Sequence, residues 1–284
     1  MNVLSLFDGM SCGRIALEKA GIDVNNYYAS EIDKYAKIVS KANYPDITQL
    51  GCVVKLSEML SVFPQTLGNI DLLIGGSPCQ GFSFAGKQLN FDDPRSKLFF
   101  EFVKIKNIVK PRYFLLENVK MKKESQHIIS KYIGCEPKEI CSSKFLPHNR
   151  KRLYWTNINF EKPVQVKWDI RDYYDGQGFP SSGTLHENPR RVEFRRKEIF
   201  NTMTATMYKG INASGRPAVS LREGFYNDDR EAHRMLTPVE CEGLQGVPRG
   251  YTDCVSNTQR YKMLGNGWTV DVIAHIFKQI NSGG

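Results

Sequence analysis

The chain opens on a short apolar run, Asn2 to Phe7, that ends in the small-residue turn Asp8-Gly9-Met10-Ser11-Cys12-Gly13. From Arg14 to Ala20 the apolar positions recur at helical spacing and stop at Gly21, which predicts a strand, a tight turn and a helix. The alternation returns three times: Asn26 to Ser30 followed by a helix from Ile32, Ile70 to Ile74 followed by a loop, and Arg112 to Leu116 followed by Glu117-Asn118. Strands alternating with helices predict an α/β fold, a doubly wound and mostly parallel sheet. After Lys167 the texture changes. Gly, Pro, Ser and Arg are scattered through Asp175 to Arg196, and long apolar periods are few until Met235. This marks a small second domain at about 166–233, set into a first domain made of 1–165 and 234–284. The helical pattern resumes at Leu236, and Val270 to Ile280 predicts a final amphipathic helix that packs back on the first domain. Ser282-Gly283-Gly284 is expected to fray, and no internal repeat or low-complexity tract interrupts the chain.

Composition narrows the class. With 284 residues and 41% hydrophobic content, the chain is able to bury a sizeable core, so a disordered or fibrous reading is set aside. No apolar run approaches the roughly 20 residues that span a bilayer, and the start MNVLSLFDGM lacks a charged leader and cleavage site, so a cytoplasmic protein without a membrane partner is expected. The seven cysteines, at 12, 52, 79, 135, 141, 241 and 254, form an odd set without a CxxC pair. Neither a disulfide framework nor a zinc or other metal site is indicated. A special cysteine must therefore be special through reactivity. The net charge of +9 suits a polyanionic partner, although many basic proteins never touch nucleic acid.

In open α/β sheets ligands sit outside the carboxyl ends of the strands, and four loops draw notice there. In Phe7 to Gly13 small residues let the backbone approach a ligand. Glu31 follows Gly9 by about the 20 residues at which an acid meets ribose hydroxyls. A generic strand-to-helix turn would read the same way. The second loop, Gly75-Gly76-Ser77-Pro78-Cys79-Gln80-Gly81-Phe82-Ser83, sets a thiol on a Pro-flanked turn where it can be exposed and activated; the plain alternative is a small buried hydrophobe. Third, Glu117-Asn118-Val119 ends a buried strand with a carboxylate, which must be paired, working, or a helix cap. Fourth, Pro147-His148-Asn149-Arg150-Lys151-Arg152 leads into a strand expected at Leu153 to Ile158. Strand alternation there would point Arg150 and Arg152 the same way. Two guanidiniums on one face suit phosphate or carbonyl oxygen, and a solvated basic edge is the bland alternative.

Taken in order, these loops resemble the motif series of the DNA (cytosine-5) methyltransferases. Phe7-Asp8-Gly9 is similar to the cofactor loop, Ser77-Pro78-Cys79-Gln80 to the nucleophile loop, Glu117-Asn118-Val119 to the glutamate motif and Arg150-Lys151-Arg152 to the paired-arginine motif. Gly265-Asn266-Gly267-Trp268 resembles the last motif, which in the family closes beside the first. Leu4-Ser5-Leu6-Phe7-Asp8-Gly9, Ile74-Gly75-Gly76-Ser77-Pro78-Cys79 and Leu98-Phe99-Phe100-Glu101-Phe102 look most like the animal de novo catalytic domain and its bacterial and phage relatives. The match extends over nearly the whole chain.

The resemblance implies a Rossmann-like catalytic domain, a small target-recognition domain, and methyl transfer from S-adenosyl-L-methionine to C5 of a cytosine flipped out of duplex DNA, leaving S-adenosyl-L-homocysteine. Cys79 is implied as the nucleophile at C6, Glu117 as the partner of N3 and the exocyclic amino group, Arg152 as the holder of O2, and Arg150 as the partner of a phosphate or oxyanion. For the cofactor it implies Phe7 against the ligand, Asp8, Gly9 and Met10 along the methionine end, Glu31 on the ribose and Ile32 on adenine. Val53, Pro78, Leu98, Asn266 and Trp268 complete the pocket. Where relatives usually carry an acid for the adenine amino group stands Cys52, with Asp46 as a competing register, and His148 stands where many have glutamine. A thiol is a poor acceptor, so weakened cofactor affinity or recognition of adenine through backbone is expected.

The stretch Gln80 to Arg95 resembles a mobile loop that closes over the target, with Gln80 and Ser83 toward DNA. In the small domain, Thr202 to Pro217 is expected in the major groove, where the base code is unique. Lys209 and Arg216 are candidates for base contacts, and the 190 to 197 cluster with Arg190, Arg191, Arg195 and Arg196 for phosphate. A cognate restriction endonuclease is a possible partner. Three rivals stand beside this reading: a tRNA methyltransferase on the same scaffold, a silent binding subunit, and an NAD-type oxidoreductase. The last leaves the Pro-Cys and paired-arginine motifs unexplained.

Overall fold

The structure is a computed structural model that describes residues 1–78, 94–174, 179–185, 192–196, 199–209, 217–220, 226–227 and 233–281. The chain forms two compact units, one of residues 1–140, 151–163 and 273–284, the other of 141–150 and 164–272.

The first unit is built on a seven-stranded sheet. Strands β1 (Asn2–Leu6), β2 (Asn26–Ser30), β3 (Thr48–Gln49), β4 (Leu72–Gly75), β5 (Tyr113–Val119), β6 (Lys138–Cys141) and β7 (Lys151–Thr156) lie in the order β3-β2-β1-β4-β5-β7-β6. The pairings from β3 through β5 are parallel, and β7 runs antiparallel to β5. β1, β4 and β5 read as continuous apolar runs because both faces are covered: Val3, Leu4, Leu6, Leu72, Leu73, Ile74, Leu115 and Leu116 are all buried, as parallel strands in α/β folds require. The chain first builds outward from β1 through β2 to β3, then returns to lay β4 on the other side of β1. The order therefore reverses between β1 and β4, which is the position where such sheets open a ligand crevice at their carboxyl ends.

The helices among the described residues are α1 (Cys12–Lys19), α2 (Lys34–Asn43), α3 (Val53–Val62), α4 (Pro94–Val109), α5 (Lys123–Ile133), α6 (Pro238–Gln245), α7 (Asn257–Asn266) and α8 (Val270–Asn281). The expected start of α2 at Ile32 is corrected to Lys34. Asp33 accepts from Tyr35 N and Ala36 N, and an aspartate in that role caps a helix from outside it. In the core of the first unit Leu56 and Leu60 of α3 and Phe99 and Phe102 of α4 cluster with Leu4, Leu73 and Leu116 of the sheet. Trp155 of β7, fully buried, satisfies its indole by donating to Ser130 Oγ at 3.0 Å. From Ile273 onward α8 belongs to this unit.

The second unit contains a feature that the scattered Gly, Pro and Arg gave no sign of, a five-stranded sheet in the order β11-β9-β8-β10-β12. Its strands are β8 (Phe179–Leu185), β9 (Val192–Arg196), β10 (Pro217–Ser220), β11 (Tyr226–Asn227) and β12 (His233–Met235), all paired antiparallel. In the same unit α6 starts on a reciprocal cap, Glu240 N donating to Thr237 Oγ1 at 3.2 Å and Thr237 N to Glu240 Oε2 at 2.6 Å, with Pro238 in its first turn. The buried Glu242 accepts from Gly250 N, Thr252 N and Arg260 Nη2, so the protein's own donors match its charge.

Candidate functional site

The carboxyl ends of β1 and β2 meet in a tight hydrogen-bonded knot. Phe7 and Ser11 hold left-handed φ angles of 57° and 65°, a conformation that bulky residues rarely adopt and that concentrates at working sites. Between them Gly9, at φ 61°, brings its N–H to Glu31 Oε2 at 2.7 Å. Glu31 Oε1 accepts from Ile32 N and Asp33 N, each at 2.7 Å. The carboxylate thus fixes the approach of the two loops. Beside it Ile32 is 73% exposed, a large apolar surface with no core to join. Phe7 is partly buried against the core of this unit, as is Leu98 of α4.

Two residues expected along a cofactor point elsewhere. Met10 is 1% exposed, so its side chain is core and only its backbone remains on the loop. Asp8 also turns inward, accepting from Tyr27 OH at 2.7 Å and Ser11 Oγ at 2.5 Å, with Ser11 also 2.7 Å from Ser40 Oγ. Burial pushes the Asp8 carboxyl from 3.8 up to about 6, opposed by its hydrogen bonds to Ser11, Ser5 and Tyr27 and assisted by the charge of Glu31. The folded chain then keeps a proton between pH 3.8 and about 6 that the unfolded chain has lost. Stability from this group is therefore full at the acid end of that window, falls as pH rises through it, and is flat above. Unfolding by urea from about pH 4 to 7 should show the parent losing roughly 2 kcal/mol more than Asp8→Asn. Identical pH slopes would refute the inward, proton-holding role.

Cys52, half-buried, is the N-cap residue of α3, and its thiol makes no capping bond; Val53 behind it is buried. The competing Asp46 is engaged by Arg14 at 3.7 Å and lies largely in solvent. Of the other described cysteines, Cys12 and Cys241 are sealed in the interior. Burial with Glu240 and Glu242 nearby pushes the Cys241 thiol far up, and burial also raises Cys135. Neither is poised as a thiolate.

At its last residue β4 has no room for a side chain. A Cβ on Gly75 would sit 2.9 Å from Leu6 O and 3.0 Å from the Phe102 ring. Ser77 follows, buried, with Asn118 Nδ2 3.3 Å from its Oγ and 3.5 Å from its carbonyl. Sequence reasoning gave Asn118 no task; a buried amide must be hydrogen-bonded, and here it ties β5 to the start of the loop that carries Cys79. Pro78 is half-buried and described. Cys79, Gln80 and Ser83 lie outside the described residues, as do 84–93, whereas Pro94 and Arg95, expected in the same loop, belong to α4.

Glu117 is corrected from loop to strand: β5 continues to Val119, with Glu117 opposite Tyr154 and Val119 opposite Arg152. Period-two alternation puts Glu117, Val119 and Arg152 on one face. Arg152 Nε there reaches Glu117 Oε1 at 2.9 Å, both side chains largely buried. Arg150 does not share that face by alternation, because β7 starts one residue later at Lys151. Its guanidinium, 4% exposed, donates within the second unit to Gly265 O at 3.0 Å, Gly267 O at 2.9 Å and Met203 O at 3.3 Å. The carbonyl oxygens that suit it are the protein's own. His148, also buried, accepts from Met203 N at 3.3 Å. A side chain at Gly265 would enter the backbone of Thr204 and Ala205, its Cβ 2.2 Å from Thr204 C, so only glycine fits. Asn266 is exposed and Trp268 half-buried in this unit. Lys209 is exposed at the end of a 3-10 turn, Met207–Lys209. Arg190, Arg191 and Arg216 lie outside the described residues, and Arg195 and Arg196 fall in β9.

Among the described residues no group of His, Cys, Asp or Glu is arranged to hold a metal ion, and no helix is long and apolar enough to cross a membrane. A sequence model of the family described as C-5 cytosine-specific DNA methylase matches residues 1–175 and 181–282. The type II methyltransferase M1.ScrFI of Lactococcus lactis subsp. cremoris is 29% identical over 311 residues, covering 98% of this chain and 77% of its own. The type II methyltransferase M.NlaX of Neisseria lactamica is 28% identical over 309 residues, covering 99% and 96%. Among solved structures, the methyltransferase EhMeth of Entamoeba histolytica superposes with a TM-score of 0.76 at 20% identity over 99% of this chain and 98% of that one. The Dnmt2 methyltransferase of S. pombe gives 0.74 at 20% identity with the same coverage. At that identity the structural likeness concerns the fold.

Proposed function

The chain belongs to the C-5 cytosine-specific DNA methylase family and is a DNA (cytosine-5) methyltransferase, and from this we propose that it draws on S-adenosylmethionine and acts through Cys79 with Glu117 and Arg152. The observation that carries the reading is the Glu117–Arg152 pair, 2.9 Å apart at the end of β5, on the strand next to the one that leads to Cys79. A carboxylate and a guanidinium held there match a pyrimidine edge: Glu117 toward N3 and the exocyclic amine, Arg152 toward O2.

The residues at β1 and β2 fit the cofactor. The exposed Ile32 offers adenine an apolar face, Glu31 is set beside the ribose position, and the left-handed turn at Phe7 to Ser11 leaves backbone for the methionine end. Leu98, Pro78, Val53, Asn266 and Trp268 complete the proposed set. When bound, S-adenosylmethionine supplies a methyl group activated by a sulfonium, and S-adenosylhomocysteine is the product. Cytosine C5 is a poor nucleophile until the Cys79 thiolate adds to C6, which turns the ring into an enamine. Glu117 and Arg152 draw electron density from C6 as the S–C6 bond forms. After C5 is methylated, loss of the C5 proton breaks that bond and returns the thiolate. A stacked base is out of reach, so the cytosine is flipped from the duplex.

Cys52 leaves the adenine amine without a charged acceptor. Cys52→Asp is expected to tighten cofactor binding about tenfold, the range of a hydrogen bond to a charged group, and an unchanged dissociation constant in calorimetry would reject the assignment. We assign target recognition to 166–233, with Lys209 and Arg216 on bases, Arg190 and Arg191 on phosphate, and Gln80 and Ser83 toward DNA. The bacterial type II relatives support a cytoplasmic enzyme acting on nucleoid DNA, with a cognate restriction endonuclease as partner. Bisulfite sequencing of DNA from a host expressing the chain should show one methylated motif. Transfer to tRNA and not to duplex DNA would overturn the substrate.

A further inference from the structure

Helix α7 carries Gly265 one residue before its end, where glycine costs conformational entropy that alanine would not. What lies against it accounts for that cost. A Cβ there would come 2.2 Å from Thr204 C and 2.3 Å from Ala205 N, so the end of α7 packs directly on the backbone of 204–205. Arg150 closes the same junction. Its buried guanidinium donates from Nη1 to Gly265 O at 3.0 Å and to Met203 O at 3.3 Å, and from Nη2 to Gly267 O at 2.9 Å. Two of these carbonyls flank Asn266, and the third belongs to a different stretch of chain. A cation that merely capped α7 would answer to the helix dipole and the orphan carbonyls of the last turn. It would have no call on Met203.

Further bonds fix both arms of the junction. Met203 N donates to His148 Nε2 at 3.3 Å, Asn149 N to Phe200 O at 2.9 Å and Phe200 N to Pro147 O at 2.9 Å. Around α7, Gln245 Nε2 donates to Leu264 O at 2.6 Å, and its Oε1 accepts from Thr269 Oγ1 at 2.9 Å. All of these residues belong to the second unit. From Met203 the chain runs on to the turn Met207–Lys209, against which α7 packs, and Lys209 at its end is exposed. Asn266 is exposed too, so each arm presents a polar side chain while its backbone is held from within. We propose that Arg150 is a positioning residue that holds the backbone around Asn266 and the backbone from Met203 in one arrangement, so that cofactor affinity and the reading of DNA depend on the same side chain. The inference rests on the reading of Asn266 and Trp268 as cofactor residues and of 202–217 as the base-reading stretch. It gives Arg150 a task apart from that of Arg152, which meets the base.

Arg150→Lys tests this because the charge is kept. A lysine still serves a phosphate as a point charge, but one ammonium does not span the carbonyls of both arms as the planar guanidinium does. Calorimetry with S-adenosylmethionine in the absence of DNA, at a temperature where thermal unfolding shows the variant folded, should give binding about tenfold weaker, the loss expected when an arm holds its binding arrangement about a tenth of the time. KM for duplex should rise with it, while kcat at saturation of both ligands stays near the parental value. Parental cofactor affinity, or a loss confined to kcat, overturns the proposal. A second measurement needs no variant. In the parent, saturating S-adenosylmethionine without DNA should slow amide hydrogen exchange in 200–209 as well as in 263–268. Cofactor binding that leaves 200–209 unprotected overturns the shared arrangement and leaves the reading of Cys79, Glu117 and Arg152 intact. A parent that binds no S-adenosylmethionine overturns both.

Discussion

Replacing Cys79 by serine is expected to lower methyl transfer by at least about 10⁴-fold while cofactor affinity stays within twofold of the parent. A thiol is a few per cent ionised at neutral pH and is intrinsically nucleophilic, whereas a serine hydroxyl needs a strong adjacent base. Transfer of radiolabelled methyl to duplex DNA measures the first quantity and calorimetry the second. Turnover near the parental rate would remove Cys79 from the mechanism. The sealed Cys12 and Cys241 and the raised thiol of Cys135 make a substitute nucleophile from those positions unattractive.

The second large effect is expected at Glu117. In Glu117→Gln the volume and one acceptor oxygen remain, but the carboxylate that meets Arg152 at 2.9 Å is gone. The ring then loses a group that stabilises charge as the S–C6 bond forms, a loss on the order of 10²- to 10³-fold in kcat. KM for the cofactor should hardly move, because Glu117 lies on β5 and none of the residues proposed for the cofactor does. A guanidinium left without its partner in a largely buried place also lowers stability. Thermal unfolding separates the two losses: a kcat deficit that persists well below the melting transition is chemical. A parental kcat would reject the role of Glu117.

The parallel half of the sheet was legible because its signal is local. β1, β2, β4 and β5 are apolar runs flanked by turns, and α8 announces itself by period. What escaped depends on distant partners. Glu117 looks like a loop residue at the end of an apolar run; it is a strand residue because β7 supplies Arg152 across from it. The alternation expected to pair Arg150 with Arg152 assumed a strand already under way at Arg150. The groups that claim Arg150 stand 53, 115 and 117 residues along the chain. Pro180 and Gly183 break the pattern of β8 and Pro217 opens β10, while β9, β11 and β12 run for only five, two and three residues, too short for a period of two to stand out. Asp8 and Met10 read as lining residues because their loop follows a strand end; the left-handed turns at Phe7 and Ser11 send both side chains inward, and a strained backbone is not visible in composition.

The site divides the same way. Glu31, Glu117, Arg152 and Ile32 sit where the strand-end rule puts them, at the carboxyl edge flanking the β1–β4 reversal. Asn118 and Ser77, which join β5 to the loop of Cys79, carry no sequence signature beyond a buried amide in need of partners.

The measurement that bears most directly on the central claim is covalent capture. A duplex carrying 5-fluorocytosine at the methylated position cannot lose its C5 substituent as a proton, so the S–C6 bond persists once the methyl is in place. Incubated with S-adenosylmethionine, the parent should give a denaturation-stable protein–DNA complex whose cross-linked peptide contains Cys79, and Cys79→Ser should give none. A stable complex formed by the serine variant, or a cross-link mapping to another residue, would contradict the account.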